Sequence, residues 1–378
     1  MPLPTGVYRA DHVGSFLRPK AVLDARADAA EGRITAEQLR KVEDEWVTDV
    51  ANKQIENGLH SITDGEFRRA YFHLDFLKHL AGIEEKGQVG NIRHKDGFSP
   101  PTLVVTGKLG HPDAIQVADF QFLEQAIATN GGRASTKVCI PSPTMVHFRG
   151  GRASIDISAY PDLDIFFEDL ARVYQQELDS LYKAGCRFVQ LDDTNLAYLC
   201  DPDMRKAAEQ ERNEDLSTLP RKYAALINAA ISQRPADMKI GIHLCRGNYR
   251  SKWFASGGYE PVAEVLFKEL NVDAYFLEYD DARSGDFSPL RHLPPHKVVV
   301  LGVMSSKKNT LDDREEIVGR LHEAAKYTGG GLDQLCVSHQ CGFSSTAEGN
   351  ELSEEEQWAK VRLEVEIAKA VWGEDLSK

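Results

Sequence analysis

Apolar and polar positions follow one repeating order along the chain: a short apolar run, a polar cluster, and then a stretch with helical spacing. Short apolar runs bounded by turn residues predict strands, whereas apolar residues three or four positions apart predict helices. The predicted strands cover residues 7–14, 59–63, 136–140, 187–191, 239–245, 274–277, 297–303 and 332–337. The run at 297–303 is apolar throughout, which is typical of a strand buried on both faces of a parallel sheet.

Helices are predicted between these strands. Thr35 and Gln38 have the spacing of a capping box at the start of a helix over residues 35–57, and Gly58 is a stop signal. Residues 163–184 carry an apolar face and end at a glycine. Further helical stretches are predicted at 68–80, 112–129, 203–232, 261–270, 312–327 and 354–372, and a Gly- and Pro-rich hairpin insertion at about 81–108.

Eight strands that alternate with helices predict an α/β fold, a (β/α)₈ TIM barrel. No composition shift or linker divides the 378 residues, so we expect a single barrel domain over residues 1–378. In such a barrel the carboxyl ends of the strands converge on one mouth. Seven polar residues lie at or just after predicted strand ends: Ser15, Glu66, Asp192, His243, Cys245, Glu278 and Cys341.

Composition narrows the class of partner. A formal net charge of −13 argues against nucleic acid and against an anionic membrane surface, because both require clustered cations. A small-molecule partner fits better. No apolar run reaches the roughly 20 residues of a membrane span, and the N-terminal residues lack a signal-peptide core. Six scattered cysteines do not suggest a disulfide framework. We therefore expect a cytoplasmic protein with reduced thiols.

His243 and Cys245 indicate a metal site. Residues two apart on a strand face the same way, so the imidazole and the thiol project together just before a Gly-Asn turn. Nitrogen and sulfur are the ligands that zinc prefers, and neighbouring strand ends can supply the rest of a tetrahedron. The sequence therefore predicts a Zn²⁺ site at the mouth of the barrel.

Several short motifs together resemble the catalytic barrel of cobalamin-independent methionine synthase, in its shorter, single-barrel form. They occur in the same order as in that family and span nearly the whole chain: Val13-Gly14-Ser15-Phe16, Asp64-Gly65-Glu66, Gln190-Leu191-Asp192, His243-x-Cys245, Glu278 and Cys341-Gly342. The resemblance implies a zinc-dependent methyl transfer to the thiol of homocysteine, which gives methionine.

The resemblance also assigns roles to individual residues. It implies a zinc ion held by His243, Cys245, Glu278 and Cys341, with the carboxylate as the ligand most easily exchanged for a substrate thiol. The backbone at Ser15 resembles the segment that binds the substrate carboxylate, and Glu66 and Asp192 resemble the carboxylates that bind its ammonium group. No catalytic residue beyond the zinc ligands is assigned.

Alternatives remain open for the zinc ligands and for three arginines. His339-x-Cys341 is a second pair of the same kind, so His243, Cys245, His339 and Cys341 would form a closed Cys₂His₂ site that excludes Glu278. Three arginines follow predicted strand ends and either bind an anionic group or remain solvated: Arg18, Arg68 and Arg69.

The methyl donor is left undecided. The segment 144–148 resembles the one that stacks on a folate ring, which makes Phe148 the candidate donor-binding residue for methyltetrahydrofolate. The synthases also use a histidine after strand seven as a proton donor, but residues 302–306 contain none. Lys307 or Lys308 would have to replace it, or the donor is one that needs no acid. The oligomeric state is also left open.

Two other functions compete with methionine synthesis. The epoxyalkane:coenzyme M transferases share the His-x-Cys and distant Cys pattern but act on a sulfonate thiol. A zinc-stabilised binding protein without turnover is the second competitor. Glu66 and Asp192 favour an amino-acid thiol, because a sulfonate would require cations at these positions.

Overall fold

The computed structural model describes residues 2–86, 102–128, 134–148 and 150–377. Ten strands are present in this part of the chain: β1 Ser61–Ile62, β2 Ala81–Lys86, β3 Thr102–Gly110, β4 Ser135–Thr136, β5 Val138–Pro141, β6 Phe188–Asp193, β7 Lys239–Leu244, β8 Ala274–Glu278, β9 Val298–Met304 and β10 Leu335–His339. Six of them form a parallel sheet in the order β10-β9-β8-β7-β6-β5. Each strand pairs with the next along the chain, as in a barrel.

The sheet is buried on both faces. Every residue of β6, β8, β9 and β10 is buried, which agrees with the continuous apolar run predicted at 297–303. A cluster around Phe188, Phe276, Val298 and Val300 includes residues of neighbouring strands. Burial of such side chains stabilises the fold by roughly 1.5–3 kcal/mol each.

Two short segments close the barrel between β10 and β5. β1 pairs in parallel with β4, and Ala10 forms a single parallel bridge with Val337 of β10. Side chains help to join the two segments: His12 Nε2 lies 2.7 Å from the carbonyl oxygen of Ser61. The prediction of a strand over 7–14 is therefore wrong in extent, since this segment makes one bridge instead of a ladder.

Helices lie between the strands. Ten α-helices occur in the described residues: α1 Lys20–Ala30, α2 Ala36–Glu56, α3 Leu74–Leu77, α4 Val117–Ile127, α5 Leu163–Ala184, α6 Asn195–Tyr198, α7 Pro202–Arg212, α8 Leu219–Ile231, α9 Arg314–Ala325 and α10 Glu354–Trp372. The capping box of Thr35 and Gln38 is formed, and α5 ends at Gly185 with a φ of +112°. None of these helices is long and apolar enough to cross a membrane.

Two predicted helices differ from the structure. The stretch 68–80 is helical only in α3, because the Asp75 carboxylate accepts hydrogen bonds from the backbone N–H groups of Ala70 and Tyr71 and holds them in a turn. The stretch 261–270 divides into a 3₁₀ turn, Glu260–Val262, and a π turn, Val265–Glu269. In both places local hydrogen bonds replace a regular helix.

The predicted insertion at 81–108 is a hairpin. β2 and β3 pair antiparallel, from Lys86 with Thr102 to Ala81 with Gly110. Residues 87–101, between the two strands in sequence, lie outside the described residues. The backbone N–H of Leu109 donates to the Tyr160 hydroxyl over 2.7 Å and anchors the hairpin to the segment before α5.

Candidate metal centre and substrate cavity

The ends of three strands bring together four side chains that could bind a metal ion. His243 lies on β7, Cys245 directly follows it, Glu278 is the last residue of β8, and Cys341 follows β10. One ligand atom of each residue lies within 4.8 Å of those of the other three, and all four residues are buried. The distance between the two sulfur atoms is 3.5 Å. Residues nearly 100 positions apart thus converge because parallel strands end at the same mouth.

The imidazole of His243 is oriented for metal binding. Its Nδ1 lies 3.1 Å from the carbonyl oxygen of Phe276, so this nitrogen carries the proton in the neutral ring. Its Nε2 is buried and has no nitrogen or oxygen partner among the described residues. A second-sphere hydrogen bond on one nitrogen and a free electron pair on the other is the usual arrangement of a zinc-bound histidine.

The two thiols also fit zinc. Zn–S bonds of about 2.3 Å in a tetrahedron place two sulfurs about 3.8 Å apart, close to the separation found here. A hydrogen bond from Cys245 holds the pKa of the Cys341 thiol well below its usual range, and His243 reinforces the effect. A lowered pKa favours the thiolate, which is the form that binds a metal.

Glu278 is the oxygen donor of this cluster, and its charge is already balanced. Its Oε1 accepts a hydrogen bond of 2.8 Å from the backbone N–H of Arg246. Its Oε2 lies 3.2 Å from Nη2 of Arg283. Burial raises the pKa of Glu278, and the nearby Lys307 ammonium opposes that rise. Nitrogen, two sulfurs and a carboxylate form a set that zinc accepts, so the four residues fit this ion.

The structure does not bring His339 into this cluster. His339 Nδ1 lies 2.7 Å from Oε2 of Glu364 on α10. Burial lowers the pKa of His339 to about 3, and Lys360 adds to the effect, so its ring is neutral. Its nearest aromatic contact is with Phe343, 5.0 Å between ring centroids. The described geometry therefore favours the open set with Glu278 over the closed Cys₂His₂ set.

A cavity opens beside the cluster. Its lining contains three of the four metal-binding residues together with the three side chains predicted to bind the substrate: Ser15, Glu66, Asp192, His243, Cys245 and Cys341. Aromatic residues Tyr71, Phe72 and Tyr198 form part of its wall. A small molecule in this cavity would touch both the metal-binding side chains and the acidic ones.

Glu66 and Asp192 form the acidic part of the cavity. Carboxylate oxygens of both residues and the Cys139 sulfur lie within 4.8 Å of one another. Oε1 of Glu66 pairs with Nη2 of Arg69 at 2.7 Å, and Oδ1 of Asp192 accepts a 2.7 Å hydrogen bond from Gln190. Burial raises the pKa of Glu66 to about 7 against the effect of Arg69, and burial also raises that of Asp192. A bound cation would relieve the repulsion between the two carboxylates.

A tight turn aims Glu66 into the cavity. Gly65 and Glu66 both have positive φ angles, +66° and +62°, and the Asp64 carboxylate accepts the Glu66 backbone N–H over 2.8 Å. A left-handed conformation is unfavourable for a glutamate and persists only where its surroundings fix it. This turn explains why Asp64-Gly65-Glu66 occurs as a unit.

Ser15 is fixed by the loop that follows β10. Its Oγ accepts a 3.1 Å hydrogen bond from the backbone N–H of Ser344. A Cβ on residue 342 would lie 1.9 Å from that oxygen, so only glycine fits there. The loop that carries Cys341 thus also positions the predicted carboxylate-binding segment.

All three arginines have roles that differ from those predicted, and Arg68 is held in an ion pair with Asp44. Arg18 is buried and Arg69 is only partly exposed, and both bind the chain itself instead of presenting free charge to an anion. Arg18 donates to carbonyl oxygens of Glu66 and Thr346 at 2.7 and 2.9 Å. Sequence reasoning missed these contacts because nothing in the local pattern distinguishes an arginine that binds loop carbonyls from a solvated one.

Phe148 does not line this cavity. It is 2% exposed, and its ring centroid lies 5.9 Å from that of Tyr198, which does line the cavity. The guanidinium of Arg212 lies 4.9 Å from the Phe148 ring centroid. Stacking of a folate ring on Phe148 stays a prediction that would require these neighbours to move.

Lys307 is distinguished from Lys308 by its surroundings. Its Nζ is buried without a hydrogen-bond partner in the described part of the chain. Its charge acts on Cys245, Glu278 and Cys341, whereas Lys308 is exposed. Of the two lysines, only Lys307 is therefore close to the metal-binding cluster.

Several related proteins resemble this chain in sequence. An uncharacterized Bacillus subtilis protein, YxjH, is 44% identical over 367 residues, which covers 97% of this chain and 95% of the relative. A methionine synthase of Pyrococcus horikoshii is 24% identical over 341 residues and covers 90% of this chain and 86% of its own length.

Solved structures agree with the barrel. A Listeria monocytogenes protein, described as a candidate vitamin-B12-independent methionine synthase, is 38% identical with a TM-score of 0.78 and covers 99% of this chain and all of its own. A B12-independent methionine synthase of Shewanella sp. W3-18-1, solved with selenomethionine, shares the fold at 18% identity with a TM-score of 0.72; the match covers 97% of this chain and 98% of that one.

The sequence model of one protein family covers nearly the whole chain. It is described as the catalytic domain of cobalamin-independent synthase and matches residues 8–370. The match includes every side chain of the metal-binding cluster and of the acidic part of the cavity. The chain therefore belongs to the cobalamin-independent synthase family, as a member of its catalytic-domain type.

Proposed function

We propose that this protein is a cytoplasmic, zinc-dependent S-methyltransferase that transfers a methyl group to homocysteine and yields methionine, with residues 1–378 acting as one catalytic barrel. The observation that carries the proposal is the single cavity in which a zinc-type ligand set and a pair of buried carboxylates meet. The zinc-type ligand set suits a thiol, and the pair of carboxylates suits an ammonium group. Homocysteine carries both, separated by a short aliphatic chain.

The chain's own residues would bind the amino-acid end of the substrate. Glu66 and Asp192 accept the ammonium group, which stabilises both in their ionised form. The backbone around Ser15 receives the carboxylate. The Shewanella synthase was solved with selenomethionine, a product-like amino acid, which supports an amino acid as the ligand.

The thiol end would lie against the metal-binding cluster. His243, Cys245 and Cys341 would hold the ion, and Glu278 would be the ligand that a substrate thiol replaces or accompanies. Zinc supplies one chemical effect there, since a metal-bound thiol loses its proton far below the value near 8.5 of a free thiol and becomes nucleophilic. The positive charges of Arg246, Arg283 and Lys307 all act on Glu278 of the cluster.

The residues that follow β9 bear on the identity of the methyl donor. A methyl group on a folate nitrogen transfers readily only when that nitrogen is protonated, so a folate-dependent enzyme needs an acid. Residues 302–306 provide no such acid. Lys307, whose charge acts on the cluster, would have to supply the proton instead. We therefore expect an activated donor, such as a sulfonium or a corrinoid-bound methyl group, to react faster than methyltetrahydrofolate.

Methyl transfer from a panel of donors to homocysteine, with zinc measured on the same sample, tests the proposal. The expected result is methionine formation by protein with about one zinc per chain and none by zinc-free protein. Alkylation of coenzyme M in preference to homocysteine would favour the epoxyalkane transferase reading. Stoichiometric zinc without transfer from any donor would favour a binding protein.

A further inference from the structure

We propose that Arg283 is a positioning residue that receives the Glu278 carboxylate when a substrate thiol takes its place at the metal. The inference rests on the proposed function and deepens it. It assigns to a residue outside the ligand set the task of making one ligand exchangeable.

The contact between the two residues is direct. Nη2 of Arg283 lies 3.2 Å from Oε2 of Glu278, and the two side chains are 6% and 0% exposed. A 3₁₀ turn, Ala282–Ser284, follows β8 and returns the arginine to the strand end that carries the glutamate. Oε1, the other oxygen, accepts the backbone N–H of Arg246. Both carboxylate oxygens thus have a partner within the protein.

Arg283 is held in place independently of Glu278. Its Nη2 also pairs with Asp280 at 2.7 Å, and its Nε lies 3.1 Å from Asp281. Its backbone oxygen accepts a 2.7 Å hydrogen bond from Gly257. The guanidinium therefore need not be ordered at the moment of exchange, which removes an entropic cost.

Burial makes this partner necessary. A carboxylate that leaves a metal in a site without solvent becomes an unpaired buried charge, which is strongly unfavourable. With Arg283 and the Arg246 N–H already bound, Glu278 keeps its charge paired whether or not it ligates. The Glu278 carboxylate would therefore be paired both before and after a thiolate replaces it at the metal.

Thiol binding to cobalt-substituted protein tests this role without turnover, because a thiolate that joins the cobalt changes its visible absorption. We expect Arg283→Met to raise the homocysteine dissociation constant about tenfold, within the range seen for outer-sphere partners of metal ligands. Arg283→Lys should give an intermediate value, since it keeps the charge but loses the fork geometry.

Two comparisons separate positioning from a structural effect. In a Glu278→Gln background the Arg283→Met change should have no further effect, since no carboxylate remains to receive. Arg320→Met is the matched control: Arg320 binds backbone oxygens of Tyr279 and Asp280 in the same loop but not Glu278, and thiol affinity should change less than about twofold.

The outcomes distinguish this inference from the proposed function. Equal homocysteine affinity of wild-type protein and Arg283→Met, or an equal loss in the Glu278→Gln background, overturns the role of Arg283 and leaves the methyltransferase proposal intact. An absence of any spectral change when wild-type protein meets homocysteine overturns both.

Discussion

In the proposed function, recognition of an amino acid depends on Asp192 and Glu66. Asp192 is fixed by Gln190, whose amide donates both to its carboxylate and, over 2.7 Å, to the carbonyl oxygen of Val13. The motif Gln190-Leu191-Asp192 is therefore a structural unit, with two side chains on the same face of β6. This geometry explains why the glutamine accompanies the aspartate.

Asp192→Asn should weaken homocysteine binding by about 1.5–3 kcal/mol, because it removes one charged partner of the ammonium group. Titration of zinc-loaded protein measures the effect. Zinc content should not change, because Asp192 is outside the ligand set. 4-Mercaptobutanoate is homocysteine without its amino group. The assignment would be refuted if the wild-type protein and the variant each bound homocysteine and 4-mercaptobutanoate with equal affinity.

The raised pKa of Glu66 predicts that the preference for an amino-acid thiol depends on pH. Burial raises its pKa to about 7, so the free cavity holds a protonated Glu66 below that value, and an ammonium group requires the ionised form. The preference for homocysteine over 4-mercaptobutanoate should therefore fall as the pH drops below 7, by up to about tenfold per unit. The ratio of the two dissociation constants removes the pH effects on the thiol.

The matched variant for this pH measurement is Glu66→Gln, in which the ratio should become independent of pH near 7, because the carboxyl that titrates there is gone. A pH-dependent ratio in that variant would assign the effect to another group, with Asp192 as the next candidate.

Substitutions of the candidate ligands distinguish the open set, which includes Glu278, from the closed Cys₂His₂ set, which includes His339. Replacing both Cys245 and Cys341 by serine should remove zinc, whereas His339→Ala should retain about one zinc per chain, because His339 lies outside the cluster, next to Glu364. Metal analysis after dialysis measures both. Zinc retained by the double serine variant, or lost from His339→Ala, would contradict the ligand set.

At the scale of elements, the loops after the strands form the cavity and Arg18 joins them. Its guanidinium donates to carbonyl oxygens of Ser344 and Thr346 on one side and of Glu66 and Arg69 on the other, at 2.7–2.9 Å. The loop after β1 and the loop after β10 are thereby held together. These are the loops that carry Glu66 and Cys341.

Arg18→Met should lower the free energy of unfolding by about 3 kcal/mol, because it leaves buried carbonyl groups without donors. Urea unfolding measures the change. Lys20→Met is the control in the same region: its ion pair with Asp24 is exposed and should contribute less than about 1 kcal/mol. Equal effects of the two changes would show that Arg18 does not join the loops.

Elements with local signals were predicted well from sequence. The helix that begins at the Thr35 capping box and the one that ends at Gly185 have the predicted bounds, since side chains near their ends determine both. The stretch 68–80 was predicted wrongly, because its apolar spacing resembles a helix while the Asp75 carboxylate favours a turn. Such a competition depends on geometry that spacing alone does not contain.

At the scale of the whole molecule, barrel closure determines the site. Strand ends far apart in sequence were expected at one mouth, and β7, β8 and β10 bring their polar residues together there. Closure through a single bridge at Ala10 was not predictable, because residues 7–14 have the composition of an ordinary strand. The roles of Arg246 and Arg283 were also missed, since charged residues in loops are usually solvated.

The sulfur coordination of zinc in the presence and absence of homocysteine tests the central claim most directly. Zinc K-edge X-ray absorption counts sulfur ligands, and the ligand set contains two sulfurs, Cys245 and Cys341. We predict about two sulfurs per zinc in the free protein and about three once homocysteine is added, as its thiolate replaces Glu278. A count that stays at two with saturating homocysteine would contradict the proposed function.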